Sequence, residues 1–317
     1  MKLKLLLSVT LTLCFLVWLT SCSLTDDQEL ASSELTTGFI TSNKINEASG
    51  IAVSHINEDV IWINNDSSDQ AAIYAVSARG EHLATLNVSG IENNDWEDLA
   101  TFNYKGDNYI LIADTGDNDS EETNYQLHFI KEPKLSQNQG TQEILTAKPE
   151  WTINFAYEDK SRDCESVAVD AINEQILLLS KREIPHQLFT LPLKQEENKH
   201  LMMASRLGEI PPFPPPLKLR LGKLDIMNYS NMPTAMDISA DGSMAAVLTY
   251  SSAYLYFKKE GDSWLETFSK EPKRVDFPTL NQGEAIGFDQ SGENIYITSE
   301  EIPAPILKIN VSNYKSN

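Results

Sequence analysis

Glu165-Ser166-Val167-Ala168-Val169-Asp170 and Glu284-Ala285-Ile286-Gly287-Phe288-Asp289 are two copies of one phrase. It runs acid or hydroxyl, small, apolar, small, apolar, and often ends in a turn. Three further copies read Ser49-Gly50-Ile51-Ala52-Val53-Ser54, Glu97-Asp98-Leu99-Ala100-Thr101-Phe102 and Thr234-Ala235-Met236-Asp237-Ile238-Ser239. The leading positions Ser49, Glu97, Glu165, Thr234 and Glu284 stand 48, 68, 69 and 50 residues apart.

Between copies the chain repeats itself more loosely. After the first phrase come Val60–Ile63, Ala72–Val76 and His82–Val88, short runs rich in β-branched and aromatic residues. Asn, Asp, Ser and Gly clusters separate them, so they read as strands joined by turns. Comparable runs follow the other phrases: Tyr109–Ala113, Tyr125–Ile130 and Trp151–Phe155; Gln175–Ser180 and Gln187–Leu191; Met244–Thr249 and Ala253–Phe257; Asn294–Ser299 and Ile306–Val311. A strand-built unit recurring every roughly 40–50 residues is the mark of propeller blades. The expected fold is all-β, a single β-propeller of five blades over residues 35–317. The two long spacings hold insertions, the polar Ser136–Gln142 and the proline run Pro211–Pro216. A sixth blade within 206–233 is the alternative, although Lys218–Tyr229 lacks strand alternation. The fifth blade has only three strands of its own. Leu35–Ile40 is expected to add the fourth, closing the ring and covering its free edge.

Residues 1–21 stand apart from the fold. Lys2 and Lys4 precede an apolar run, Leu5–Leu19, too short for a good spanning helix. Leu19-Thr20-Ser21-Cys22 resembles a bacterial lipobox. That resemblance implies a signal peptide over 1–21, a lipid on Cys22, and a polar tether over 22–34. The expected location is the cell envelope, with the membrane reached through the anchor. Ser23 after the cysteine favours the outer over the inner membrane.

Forty-six acids against 25 lysines and arginines give a net charge of −21. Such a surface repels phosphate backbones, which argues against a nucleic-acid partner, and it favours cations. Of three cysteines only Cys164 falls within the fold, so no internal disulfide forms there. Its neighbours Asp163 and Glu165 disfavour a thiolate, so it reads as an inert buried thiol. Five histidines show no zinc-ligand spacing, and no Gly-x-Ser-x-Gly is present. A monomer is expected.

In a propeller the first strand of each blade lines the central channel. It starts on the face where the loops between second and third strands open. That geometry gathers acids at one mouth. The expected metal ligands are Glu97, Glu165, Glu284, Glu47, Asp114 and Asp117. Around them a ligand-binding mouth is expected from Asp66, Asp95, Asp98, Asn118, Asp163, Lys181, Arg182, Asp237, Tyr250 and Glu300. Two carboxylates about 5–6 Å apart repel by roughly 3 kcal/mol at an effective dielectric near 20. The ring must therefore take up protons, recruit a base or bind a cation. Oxygen-only donors favour calcium. Asp114–Asp119 is not an EF-hand, since Tyr125 stands where the bidentate glutamate belongs. Asp, Asn, Gly and Ser also serve ordinary turns, but a turn does not require Glu at three equivalent strand starts.

Glu47-Ala-Ser-Gly50, Asn65-Asp-Ser67, Asp95-Trp-Glu-Asp-Leu-Ala100, Asp114-Thr-Gly-Asp-Asn118, Glu165-Ser166, Asp237 to Gly242, Thr249-Tyr250 and Gln282-Gly-Glu-Ala285 occur in that order. As a set they resemble bacterial secreted propellers of the SdiA-regulated and phytase-like group, and more distantly the gluconolactonase and paraoxonase type. The resemblance covers about residues 38–310. It implies calcium at the channel and, in some branches, hydrolysis of esters or phosphoesters. Thr234 departs from it by standing where a carboxylate is expected. The preferred reading is a calcium-binding propeller acting as a binding module for a small anionic ligand or a protein partner. The alternative is a calcium-dependent hydrolase of phosphoesters or lactones, with Lys181 or Arg182 holding the anion.

Overall fold

The computed structural model describes residues 35–67, 69–136, 142–195, 200–214, 231–278 and 280–315. The expected leader, lipobox-like stretch and tether lie outside these residues.

After β1 (Thr36–Ile40), the strands β2 (Ala48–Val53), β3 (Val60–Asn65), β4 (Ala72–Ser77) and β5 (His82–Val88) form an antiparallel meander. The next group is β6 (Trp96–Tyr104), β7 (Asp107–Asp114), β8 (Tyr125–Lys131) and β10 (Trp151–Tyr157), with β9 (Glu143–Ala147) inserted between the last two in sequence. Then come β11 (Ser166–Asp170), β12 (Gln175–Leu179), β13 (His186–Pro192) and β14 (Met202–Ile210). The fourth group is β15 (Pro233–Ile238), β16 (Met244–Thr249), β17 (Ser252–Phe257) and the short β18 (Lys273–Val275). The last is β19 (Gly283–Phe288), β20 (Asn294–Ser299) and β21 (Ala304–Asn310). β1 pairs antiparallel with β21, completing that sheet as the order β1-β21-β20-β19.

The first strands neighbour one another in sequence order, β2 on β6, β6 on β11, β11 on β15 and β15 on β19, and β19 returns to β2. Among the described residues these five form a closed ring. The chain is a β-propeller.

The core explains why the strands lack simple alternation. Each of five buried apolar clusters lies between two adjacent sheets, as Trp62, Trp96, Leu99 and Ile112 do between the first and second. Phe129, Phe155, Val167 and Phe189 fill the second boundary. The remaining three clusters fill the other boundaries, including the one closed by Ile40, Ile51 and Ile306. A blade packed on both faces buries every residue of its inner strands, hence the fully buried β3, β4 and β16.

Three pairings were not legible beforehand. β9 adds to the first sheet, parallel to β5, although it belongs in sequence to the second. β14 supplies the fourth strand of the third sheet, pairing with β13. β14 also pairs parallel with β10, joining the second and third sheets into one eight-stranded sheet. Most of the segment in which a sixth blade was the alternative, 215–230, lies outside the described residues. Before it, Phe213 is buried and stacks on Tyr254 with ring centroids 5.1 Å apart.

Candidate functional site

Four of the five leading residues share a backbone device. The ladder slips between Ala48 and Gly50, Trp96 and Asp98, Pro233 and Ala235, and Gly283 and Ala285. Ser49, Glu97, Thr234 and Glu284 are the residues skipped. In the third sheet the ladder starts at Ser166, just after Glu165. A bulge frees a residue from pairing and re-aims its side chain.

A second position repeats beside it. Asp66 N–H donates to Glu47 O, Thr115 N–H to Asp95 O, Lys181 N–H to Asp163 O, and Glu300 N–H to Gln282 O. In four blades a residue one or two past the second strand is thereby tied to the residue two before the leading position. Asp66, Thr115, Lys181 and Glu300 occupy equivalent seats.

Carboxylates converge between the first three blades. Asp66, Asp95 and Glu97 each offer an oxygen within 4.8 Å of the others, and so do Glu97, Asp163 and Glu165. Glu97 belongs to both triads and is buried, as are Asp163 and Glu165. Lys181 Nζ makes an ion pair with Glu165 Oε1, both side chains buried, and lies 5.3 Å from the centre of the Tyr250 ring. Arg182 Nη2 stands 2.6 Å from Asp163 Oδ2, while Asp163 Oδ1 accepts from Asp117 N–H at 3.2 Å. Glu165 Oε2 is buried with no hydrogen-bond partner among the described residues. Gly116 closes the space beside the first triad. A Cβ there would lie 2.3 Å from both Asp95 Oδ2 and Glu97 Oε1.

Burial and this crowding shift several of the acids upward. Burial, then the charge of Asp66, pushes Asp95 up to about 7. Burial raises Glu97 well above the carboxylate range, with Asp66 and Asp95 adding to it and Lys181 opposing. Glu284 rises to about 8, chiefly through burial, with Lys181 opposing and Glu300 adding. Glu300 is raised by burial and by the charges of Asp66 and Glu47.

Other expected residues are placed differently. Asp98 is fully buried and accepts from the N–H groups of Leu99, Val167 and Met236, so it braces the channel and does not face the mouth. Asp237 likewise accepts from Ile238 and Phe288 N–H. Asp114 accepts from Asn94 Nδ2 and Asp95 N–H. Asp117 accepts from the N–H groups of Glu121 and Glu122 and from the Tyr125 hydroxyl. Neither is in a triad, nor are Glu284 and the exposed Glu47. Asp114 and Asp117 instead help line a neighbouring polar pocket of about 550 Å³ with Asn118 and Asp95. Asn118 Oδ1 accepts from Arg182, and Glu300 Oε2 from Gln282. Thr234, the missing carboxylate, donates its hydroxyl to Gly283 O at 2.8 Å, as Ser49 does to Glu97 O at 2.7 Å. Both hydroxyls latch one blade to the next. Cys164 is buried and pushed up to about 12 by that burial, an inert thiol. Gly116 was not singled out from sequence; its signal is a Thr-Gly pair between two aspartates.

No protein-family profile matches the chain, and no curated protein matches it. Solved structures similar to it include the gluconolactonase of Xanthomonas campestris, with 11% identity over 83% of this chain and 72% of that one and a TM-score of 0.41. The PQQ-bound aldose sugar dehydrogenase of Streptomyces coelicolor has 9% identity over 87% and 96%, with a TM-score of 0.44. A nidogen/laminin complex has 10% identity over 80% and 72%, with a TM-score of 0.41. Likeness at this level carries no argument about chemistry, and the fold rests on the chain's own sheet topology.

Proposed function

We propose that this chain is a lipid-anchored propeller of the cell envelope whose mouth holds a divalent cation and acts as a binding module. The supporting observation is the pair of carboxylate triads sharing buried Glu97, where Glu165 Oε2 has no hydrogen-bond partner among the described residues. Lys181 and Arg182 offset only two of these five carboxylates, so the rest must take up protons or bind a cation to stay so close together. The donors are all oxygens in an irregular arrangement, which suits calcium better than zinc or copper. Bound there, calcium would draw anionic groups to the mouth, where Arg182 is partly exposed. The expected ligand is a small anion or the acidic segment of a partner. The test is calcium content and calorimetric titration of the whole protein purified in detergent. Absence of calcium binding at millimolar concentration would end this reading.

A second reading has one observation in its favour. Glu300, a mouth carboxylate in neither triad, is raised by burial and by the charges of Asp66 and Glu47, which favours a general base at neutral pH. When bound, calcium supplies polarisation of a substrate oxygen. Glu300 would take the proton and Arg182 would orient the anionic group, as in hydrolysis of a phosphoester or lactone. The motif resemblance to phytase-like propellers points the same way. A screen of such esters with and without calcium separates turnover from binding.

A further inference from the structure

The two triads are alike in residue type but not in charge balance. Among the described residues, none of Asp66, Asp95 and Glu97 enters an ion pair, whereas Glu165 pairs with Lys181 and Asp163 with Arg182. Among the described residues the lysine and its glutamate are the ion pair with both side chains most buried, 6% and 7% exposed. Lys181 also holds a seat that repeats around the mouth. The same backbone tie places Asp66 there in the first blade and Glu300 in the fifth. One repeat thus presents an ammonium where two others present carboxylates.

We propose that Lys181 is the resident cation of the second triad, so that the mouth takes a single divalent cation, at Asp66, Asp95 and Glu97. This rests on the cation-binding reading above and says which half of the site it applies to. Triads that share a bridging carboxylate have the form of two-metal centres, whose ions stand roughly 3.5–4 Å apart. A tethered ammonium on Glu165 repels a second divalent ion at that range, and it costs no loss of translational freedom to hold. Glu165 gives Oε1 to the lysine, and its buried Oε2 has no hydrogen-bond partner among the described residues. Remove the ammonium, and that bare carboxylate, with Asp163 and Glu97, becomes a second oxygen site.

Calorimetric titration of the whole protein in detergent with calcium chloride tests this. Wild type and Lys181→Arg are expected to bind one calcium per chain, and Lys181→Met two. Asp66→Asn is expected to lose the one site, and Asp66→Asn with Lys181→Met to regain one. Lys181→Gln is measured in parallel, so that an unfolded methionine variant, recognised by the lack of a cooperative melt, does not end the test. Equal stoichiometry in wild type and a folded neutral variant overturns the proposal while leaving the cation-binding reading standing. Two ions in wild type do the same. No calcium bound by any variant overturns both.

Discussion

Asp98 Oδ2 accepts the backbone N–H of Met236 at 3.2 Å, from a residue 138 positions away and two blades on. The same oxygen accepts Val167 N–H at 2.9 Å, while Oδ1 accepts Leu99 N–H at 2.9 Å. One buried carboxylate therefore ties three first strands together at the channel axis. Asp98→Ala leaves three buried N–H groups without an acceptor, each costing about 1–3 kcal/mol. The expected loss is on the order of 3 kcal/mol or more in urea unfolding, and roughly half that for Asp98→Asn, which keeps one acceptor. A loss below about 1 kcal/mol for the alanine variant would show that the brace is dispensable.

The raised acids make stability depend on pH in a fixed direction. Asp95 and Glu284 have pKa values of about 7 and about 8 in the folded chain, against about 4 when unfolded. The folded state therefore binds the extra protons. Their contribution is complete below about pH 4 and is lost as the pH rises through 7 and 8. In chelator, the melting temperature should fall between about pH 5 and pH 8.5. Saturating calcium should remove the part of that fall due to Asp95, because the cation replaces its proton, and leave the part due to Glu284, which is in neither triad. A melting temperature that climbs over this range without calcium contradicts the site's electrostatics.

Glu97 and Glu165 should respond oppositely to neutralisation. Glu97→Gln removes a carboxylate with no ion-pair partner, so the calcium-free protein should melt higher at about pH 8 and gain little from calcium. Glu165→Gln strands the buried Lys181 ammonium, and breaking a buried pair costs about 3–5 kcal/mol. It should melt lower at every pH while retaining a calcium-dependent rise. Thermal melts of both variants, with and without calcium, read this out.

The ring closure makes a prediction about the N-terminus. β1 pairs with β21 through Gly38–Ile306, Phe39–Pro305 and Ile40–Ala304. It also packs so tightly on the first blade that a Cβ at Gly38 would lie 2.1 Å from Arg79 O. Deleting 35–42 uncovers the edge of β21 and removes Ile40 from the core. The expected product is aggregated or melts without a cooperative transition, whereas a chain beginning at residue 35 should melt like the full-length protein. Size-exclusion profiles and melting curves of the two truncations decide it.

The anchor is tested at Cys22. If Cys22 carries the proposed lipid, Cys22→Ser removes the acylation site, and the protein should then appear in the soluble fraction or as uncleaved precursor. Unchanged membrane retention of the variant would rule out lipidation as the anchor.

The repeat phrase was enough to place every first strand, and the turn-rich runs between copies placed most of the second and third. These signals are local: side-chain shape, turn chemistry and apolar runs act over a few residues. The role of Leu35–Ile40 could be read because a three-stranded last blade leaves an edge that must be covered. The gathering of acids was legible too, since equivalent positions in a cyclic repeat face one axis. Which carboxylates meet was decided only by the tertiary structure. Glu97, Asp163 and Glu165 converge across one blade boundary, while Glu284, with the same place in the phrase, is in neither triad. Asp98 and Asp237 look like further mouth acids in sequence, yet their oxygens go to backbone N–H groups of neighbouring blades. Lys181 looks like a loop cation, yet it is buried against Glu165. The parallel pairings of β5 with β9 and β10 with β14 were equally hidden. All of these depend on the twist and spacing of blades far apart in sequence, which set distances of a few ångströms that no local pattern encodes.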